Sequence, residues 1–206
     1  MSYSDPLLCR NLTCYPGLPP IEERCARFKY NKYKLDTKEK SLSSCRKFRH
    51  QAGQATPGVL FIHCLQHQRL LGFHALEFSE SPRTVLETIF ARFRVPPKII
   101  MYDNACNASR FCLAREPDYF ADVIWIIDAL HNPGHVECSQ FSVDLYEELL
   151  SFHNIYNSQK AEEFNSEFER VKSHLYMFGH FGFFLHLRYM CHYRMVKAFK
   201  RRNYNI

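Results

Sequence analysis

Two short apolar runs, each ending in an aspartate, constrain the fold of this 206-residue chain more than any other feature. The first run, Lys98 to Tyr102, is followed by Asp103, and the second, Val123 to Ile127, is followed by Asp128. Both runs are short and rich in β-branched residues, which is typical of buried strands. Asn104 to Arg115, between them, has helical spacing. Strand, helix and strand in this order predict a βαβ unit with a parallel pair.

The two aspartates are candidate metal ligands. Side chains at the carboxyl ends of parallel strands line a shared crevice, and hard divalent cations prefer carboxylate oxygens. A simpler explanation is that each aspartate only caps the turn or helix that follows it. After Asp128 come His131, His135 and Cys138, a group of metal-binding residue types that packing explains less easily.

Composition narrows the partners and the compartment. The net charge is +6 with an isoelectric point near 8.8, which favours an anionic partner, with nucleic acid the first candidate. We find no apolar run of transmembrane length and no signal peptide, so we expect an intracellular, nuclear protein without a membrane partner. The nine cysteines should then be reduced, and with eleven histidines metal binding outranks a disulfide framework.

Residues 1–55 are predicted to form a short, basic, cysteine-containing segment ahead of a single domain, residues 56–206. Its lysines and arginines between Arg24 and Arg49 are interleaved with aromatic residues, which suits either nucleic acid contact or a solvated linker. The segment is either partly disordered or a zinc site. The candidate zinc ligands there are Cys9, Cys14, Cys25, Cys45 and His50.

The domain is predicted to have an α/β fold, with one mixed sheet flanked by helices. Gly58 to Cys64 and Leu70 to Phe78 should form an antiparallel hairpin, in which Gly72 marks either a bulge or a close approach of the backbone. Gly179 and Gly182 are expected to interrupt the helical pattern near the C-terminus. Helices are expected from Ser81-Pro82, over Gln140–Phe152, over Ser158–Met177 and over Phe183–Lys200.

Four motifs in order resemble those of the Kyakuja-Dileera-Zisupton transposases, in particular the animal branch. The resemblance covers most of the chain after Gln51. The motifs are Glu80-Ser81-Pro82; Tyr102-Asp103-Asn104-Ala105-Cys106 followed by Arg115-Glu116-Pro117; Asp128-Ala129-Leu130-His131 with His135, Cys138 and Ser139; and Asn157-Ser158-Gln159-Lys160-Ala161-Glu162 with Asn165.

The resemblance implies a ribonuclease H-like fold that acts on DNA. In that fold three catalytic acids hold two divalent metals, Mg²⁺ or Mn²⁺, for phosphoryl transfer. By position in the motifs, Asp103 resembles the second acid and Glu162 the third. Asp128 and His131 resemble the Asp-x-x-His element that follows the second acid in many such transposases. The implied catalytic residues are therefore Asp103, Glu162, Asp128 and His131, with Asp103 and Glu162 as metal ligands.

The first acid of that set is missing from its expected place. The strand Gly58 to Cys64 contains no Asp or Glu, and Asp36 and Glu39 lie among lysines. Because the carboxylates neutralise the metal ions, a site without one of them binds the ions weakly. We expect impaired catalysis, in a fragment or in a relic or domesticated transposase. An intact phosphohydrolase that uses Asp36 is the alternative.

A structural zinc site is the second metal prediction. Cys64-x2-His67 lies on the hairpin turn, and His131-x3-His135-x2-Cys138 follows the second aspartate. Together with Cys106 these residues offer nitrogen and sulfur ligands at suitable spacing. Alternatively His131 serves the acidic site, and the cysteines are small buried hydrophobes.

Two functions from different classes remain open at the level of sequence. The first is a transposase-derived DNA-binding protein with an incomplete acidic triad. The second is a non-enzymatic, zinc-stabilised module that binds nucleic acid or protein. The four motifs indicate that the chain descends from a transposase, which favours the first function. The missing first acid indicates that it no longer cuts DNA, which favours the second. The sequence does not indicate the oligomeric state.

Overall fold

The computed structural model describes residues 56, 58–76, 80–134, 136–152, 157 and 159–203. These residues form a mixed α/β structure in which helices predominate. Three short 3-10 turns, Asn132–Gly134, Val136–Phe141 and Val143–Tyr146, lie between the last strand and the fourth helix. The strands and helices in chain order are β1 (Val59–Cys64), β2 (Arg69–Ala75), α1 (Pro82–Arg92), β3 (Ile99–Met101), α2 (Ala105–Arg115), α3 (Pro117–Phe120), β4 (Ile124–Ile126), α4 (Glu147–Phe152), α5 (Lys160–Tyr176) and α6 (Gly179–Asn203).

The predicted hairpin is confirmed. β1 and β2 pair antiparallel, and Gln68 turns the chain between them with a φ of 50°. The register shifts after Ile62, which pairs with Gly72, because His63 pairs with Leu70 and leaves Leu71 as an extra residue. The predicted irregularity near Gly72 is therefore present as a bulge.

The predicted parallel pair is also confirmed, but the sheet differs from the expected one. β3 pairs parallel with β4, from Ile99 opposite Ile124 to Met101 opposite Ile126. Within the described residues, the hairpin and the parallel pair are two separate two-stranded sheets rather than one mixed sheet. Each sheet packs against its own helices, and each therefore has its own hydrophobic cluster.

One hydrophobic cluster covers the hairpin with the last two helices. The ring of Phe61 in β1 meets Phe164 and Phe168 of α5 edge-on, at centroid distances of 4.7 and 5.1 Å. On α5, Phe164, Phe168 and Leu175 are buried, whereas Val171, which has the same three- and four-residue spacing, is exposed. From α6 the cluster receives Phe183, Phe184, Leu187 and Cys191.

A second hydrophobic cluster surrounds the parallel pair. Ile100 and Trp125 of the strands pack with α1, α2 and Phe120 of α3. The hydroxyl of Tyr119 donates a hydrogen bond of 2.6 Å to the carbonyl of Phe93, which ties α3 to the end of α1. The helix between the two strands thus covers them, as a parallel pair requires.

The glycine prediction near the C-terminus is wrong in part. α6 begins at Gly179 and contains Gly182, so the helix starts four residues before the predicted Phe183. Gly179 has a φ of +65°, a conformation that glycine adopts without strain where α5 ends. At Gly182 a Cβ would lie 2.6 Å from the Cβ of Phe178. This glycine therefore admits the Phe178 side chain and does not end the helix.

The predicted helix over 140–152 is only partly helical. The α-helical part is α4, and 3-10 turns precede it. Ser142 is extended, with φ −61° and ψ 135°, and forms a bridge with Ile127 beyond the end of β4. This contact with the strand end explains why the helix starts late. The possible zinc ligands before residue 56 lie outside the described residues.

His63 should make the stability depend on pH. Burial, with a smaller effect from Lys160, lowers the pKa of His63 from 6.5 to about 4. The unfolded chain therefore takes up this proton at a higher pH than the folded chain. Its contribution to stability is complete above about pH 6.5 and is lost as the pH falls toward about 4.

We expect the free energy of unfolding of a His63→Phe variant, measured with urea, to fall less than that of the wild type between neutral and acidic pH. Phenylalanine keeps the edge-on ring contact with Phe164, whose centroid lies 5.5 Å from that of His63. Parallel pH profiles for the two proteins would contradict a buried, neutral His63.

Candidate functional site

The parallel register places Asp103 and Asp128 at equivalent positions. Each aspartate lies two residues beyond the last pair of strand residues, Met101 and Ile126. The backbone N–H of Tyr102 donates to the carbonyl of Ile126 at 2.9 Å, so the alignment continues past the strands. Adjacent strands are about 4.8 Å apart. The two carboxylates therefore start from neighbouring positions at the carboxyl edge of the pair, as the sequence predicted.

Asp128 is committed to the turn that follows it. Its side chain is only 8% exposed. Oδ1 accepts the backbone N–H groups of Leu130 and His131 at 2.9 and 3.2 Å. Oδ2 lies 2.8 Å from Nδ1 of the His131 ring. The simpler explanation, an aspartate that caps the next turn, describes this residue well.

The contact with Asp128 also orients His131. When Nδ1 carries the proton and donates it to the carboxylate, Nε2 of the neutral ring is the nitrogen with a lone pair. A carboxylate behind a histidine is the usual arrangement that fixes a metal-binding imidazole. Asp128 is thus suited to position His131, while His131 is suited to contact a ligand.

Asp103 differs from Asp128 because one of its oxygens has no hydrogen-bond donor among the described residues. Its Oδ1 is buried and accepts no hydrogen bond within the described part of the chain. It does not cap α2, because the cap position is Asn104. A buried carboxylate oxygen without a donor is costly, and native proteins usually satisfy it with water, an ion or a ligand. The chemistry of a carboxylate at this position fits a divalent cation.

Tyr102 joins two of the four motifs. Its hydroxyl donates a hydrogen bond of 2.8 Å to Oε1 of Glu80, the first residue of the Glu-Ser-Pro motif. Tyr102 itself precedes Asp103 in the second motif. Residues that are 22 positions apart therefore meet next to the candidate acid.

Glu162 belongs to a different part of the structure. It lies in the first turn of α5, is partly buried, and accepts a hydrogen bond of 3.3 Å from the amide of Asn165. α5 packs on the hairpin, whereas Asp103 and Asp128 extend from the parallel pair. The predicted approach of Glu162 to Asp103 has no contact to support it and stays a prediction.

The predicted zinc ligands form two separate pairs. Cys64 Sγ lies 3.2 Å from Nδ1 of His67 on the hairpin turn. Cys106, 3% exposed, lies beside Cys138, and burial together with the Cys138 thiol raises the pKa of Cys106. A thiol with a raised pKa is protonated at neutral pH, so Cys106 is not an activated nucleophile.

His135 lies outside the described residues. Among the side chains that are described, no three His, Cys, Asp or Glu residues converge as a metal site requires. Zinc binding by the predicted set therefore stays a prediction.

Sequence reasoning missed one buried pair. Arg92 of α1 is only 6% exposed. Burial of His74, and to a smaller extent the positive charge of Arg92, lower the pKa of His74 to about 4. A signal was present, since position 92 continues the apolar spacing of Val85 and Ile89. A charge on the core face of a helix indicates a buried, specifically placed group.

No protein-family model, curated protein or solved structure matches this chain significantly. The described helices include none with the length and apolar content that a membrane span needs. The geometry of the acids and thiols therefore carries the functional argument.

The two aspartates should respond oppositely to substitution. Asp128→Ala leaves the partly buried N–H groups of Leu130 and His131, and the His131 ring, without this acceptor, which should cost about 2–4 kcal/mol of stability. Asp103→Asn removes a charge that has no donor at Oδ1. It should leave stability unchanged or raise it. Urea unfolding of both variants checks this, and an equal loss in both would contradict the difference.

Proposed function

We propose that this chain is a transposase-derived, DNA-binding protein of the Kyakuja-Dileera-Zisupton type, with a ribonuclease H-like fold and impaired catalysis. The observation that carries the proposal is the parallel register, which brings Asp103 and Asp128 to equivalent positions at one edge of the strands. The Tyr102–Glu80 hydrogen bond adds a contact between two of the motifs that carry the resemblance. The DNA partner implies that the protein acts in the nucleus.

The candidate acids have distinct tasks in this proposal. Asp103 and Glu162 would be the ligands of a divalent Mg²⁺ or Mn²⁺ ion, and the buried Oδ1 of Asp103 fits that task. A bound ion of this kind supplies charge that stabilises phosphoryl transfer. Asp128 would hold His131 toward the DNA, since the two side chains are already hydrogen-bonded.

Impaired catalysis follows from the missing carboxylate. β1 consists of Val-Leu-Phe-Ile-His-Cys and supplies no acid. Asp36, the alternative first acid, lies outside the described residues. Within those residues, the acids do not form a group of three that could hold a metal. A protein that lacks one of the three acids would lose DNA cleavage but could still bind DNA. Binding uses many weak contacts, whereas cleavage needs one complete metal site.

A non-enzymatic, zinc-stabilised module is the second candidate, and the Cys106–Cys138 contact favours it specifically. Two thiols side by side are half of a tetrahedral zinc site. His131 and His135 would be the other ligands by sequence spacing. Cys64 and His67, in contact on the hairpin turn, would belong to a second site.

Binding and cleavage of DNA should separate. We expect the full chain to bind a fluorescein-labelled duplex in an anisotropy titration, with an affinity that falls steeply with salt. We expect no strand cleavage with Mn²⁺, either by the wild type or by Asp103→Asn. Cleavage that is lost in Asp103→Asn would contradict the claim of impairment. A lack of binding at low salt would contradict the proposed function.

Zinc can be tested by elemental analysis of the purified full chain. If the second candidate is correct, we expect at least about one zinc per chain, with a clear decrease in Cys106→Ser and Cys138→Ser. Cys112→Ala is a matched control, because Cys112 is a buried cysteine of the same helix α2 that belongs to no predicted zinc set. A strongly substoichiometric wild type would exclude the zinc module.

A further inference from the structure

The side of α6 that faces away from the core exposes several apolar and aromatic residues. Tyr189 and Tyr193, four residues apart, are 70% and 53% exposed. The exposed apolar stripe, as we call it, consists of Phe181, Leu185, Tyr189, Tyr193 and Val196. Steps of three and four residues place the stripe on one helix face, over about 22 Å.

This stripe is unusual because the opposite side of the same helix is already buried. Phe183, Phe184, Leu187 and Cys191 pack into the hydrophobic cluster around the hairpin. A surface helix with one buried side normally presents polar residues on the other. An apolar, exposed face of this length indicates a contact surface.

The charge of α6 indicates the sign of the partner. The helix contains six lysines and arginines and no Asp or Glu. Arg194 is paired with Glu167 of α5, on the side toward the core. Lys197 is exposed beside the stripe, with its Nζ 5.9 Å from the ring centroid of Tyr193. A partner that covers this face therefore meets aromatic rings and positive charge together.

We propose that the exposed apolar stripe of α6 binds single-stranded DNA, by stacking of bases on Tyr189 and Tyr193 and by contact of phosphates with Lys197. This inference rests on the proposed function and names the form of DNA and the surface that binds it. Base–aromatic stacking beside a positive charge is how proteins hold single strands without reading their sequence. Bases of an intact duplex are already stacked on one another, so exposed rings gain little from them.

Charge and geometry disfavour two other partners for the stripe, a second copy of the chain and a membrane surface. A second copy that paired α6 with α6 would bring two cationic helices together with no carboxylate in either. A helix that lies in a membrane surface has its basic side opposite its apolar side. In α6 the side opposite the stripe is the protein core, and Lys197 lies next to the stripe.

The test measures anisotropy of a fluorescein-labelled 20-nucleotide oligo-dT and of a matched duplex with the full chain. Tyr189→Ala and Tyr193→Ala should each weaken single-strand binding at least about fivefold. Tyr189→Phe and Tyr193→Phe keep the rings and should bind nearly as well as the wild type. Lys197→Gln should lower the slope of log affinity against log salt concentration by the equivalent of about one phosphate contact. All these side chains are exposed, so melting temperatures should stay unchanged.

Each other outcome identifies what fails. Single-strand binding that is equal in the alanine variants and the wild type would overturn the inference and leave the proposed function intact. Binding of duplex alone would do the same. If neither DNA binds, both fail. Two further results, each without single-strand binding, would overturn the inference. Self-association in sedimentation that depends on Tyr189 would assign the stripe to a second copy, and capture by phosphatidylserine vesicles that depends on Tyr189 would assign it to a lipid surface.

Discussion

The three-residue parallel pairing of β3 with β4 determines what the rest of the candidate site can do. Parallel strands this short have little stability of their own, and here Ile100, Trp125 and Ile127 are buried among helices. Because the register aligns Ile99 with Ile124, the chain must bring Asp103 and Asp128 out at the same edge. A slip of one residue would separate the two acids and expose the apolar side chains.

The different environments of the two aspartates come from the residues that follow them. After Asp128 the chain turns at once, so the N–H groups of Leu130 and His131 point back to the carboxylate. After Asp103 the chain enters α2. There the N–H of Ala105 donates to the carbonyl of Tyr102, and the N–H of Ala108 donates to the carbonyl of Asn104. One carboxylate is therefore structural, and the other has a buried oxygen that no donor of the described residues contacts. This difference supports separate tasks for two chemically identical groups.

Much of this fold could be predicted from local patterns, because periodicity reports directly on burial. The four strands and the βαβ order follow from short apolar runs, and the α5 core from the spacing of Phe164, Phe168 and Leu175. Gly182 was misjudged because its role depends on a neighbour, Phe178, rather than on helix propensity. The separation into two sheets was also missed, since strand pairing across a gap in sequence leaves no local signal.

For the site, sequence could name the residue types but not their environment. Asp103 and Asp128 look alike in sequence, yet only the positions of neighbouring N–H groups show which one lacks a donor. The sequence of α6 shows its aromatic and basic residues but not which of them face solvent. That Phe183 and Leu187 would be the buried side, leaving Tyr189 and Tyr193 in solvent, required the packing on the hairpin.

If the proposed function holds, the two hydrophobic clusters would let DNA binding outlast catalysis. Asp103 and Asp128 follow the two strands of the parallel pair, whereas Glu162 lies on α5, which packs with α6 on the hairpin. A metal site that draws ligands from both clusters needs them positioned to within a fraction of an ångström. The face of α6 needs only its own helix and the hairpin beneath it. Under the proposed function, loss of one acid would end the chemistry of such a site, whereas the basic and aromatic surface of α6 would persist without it.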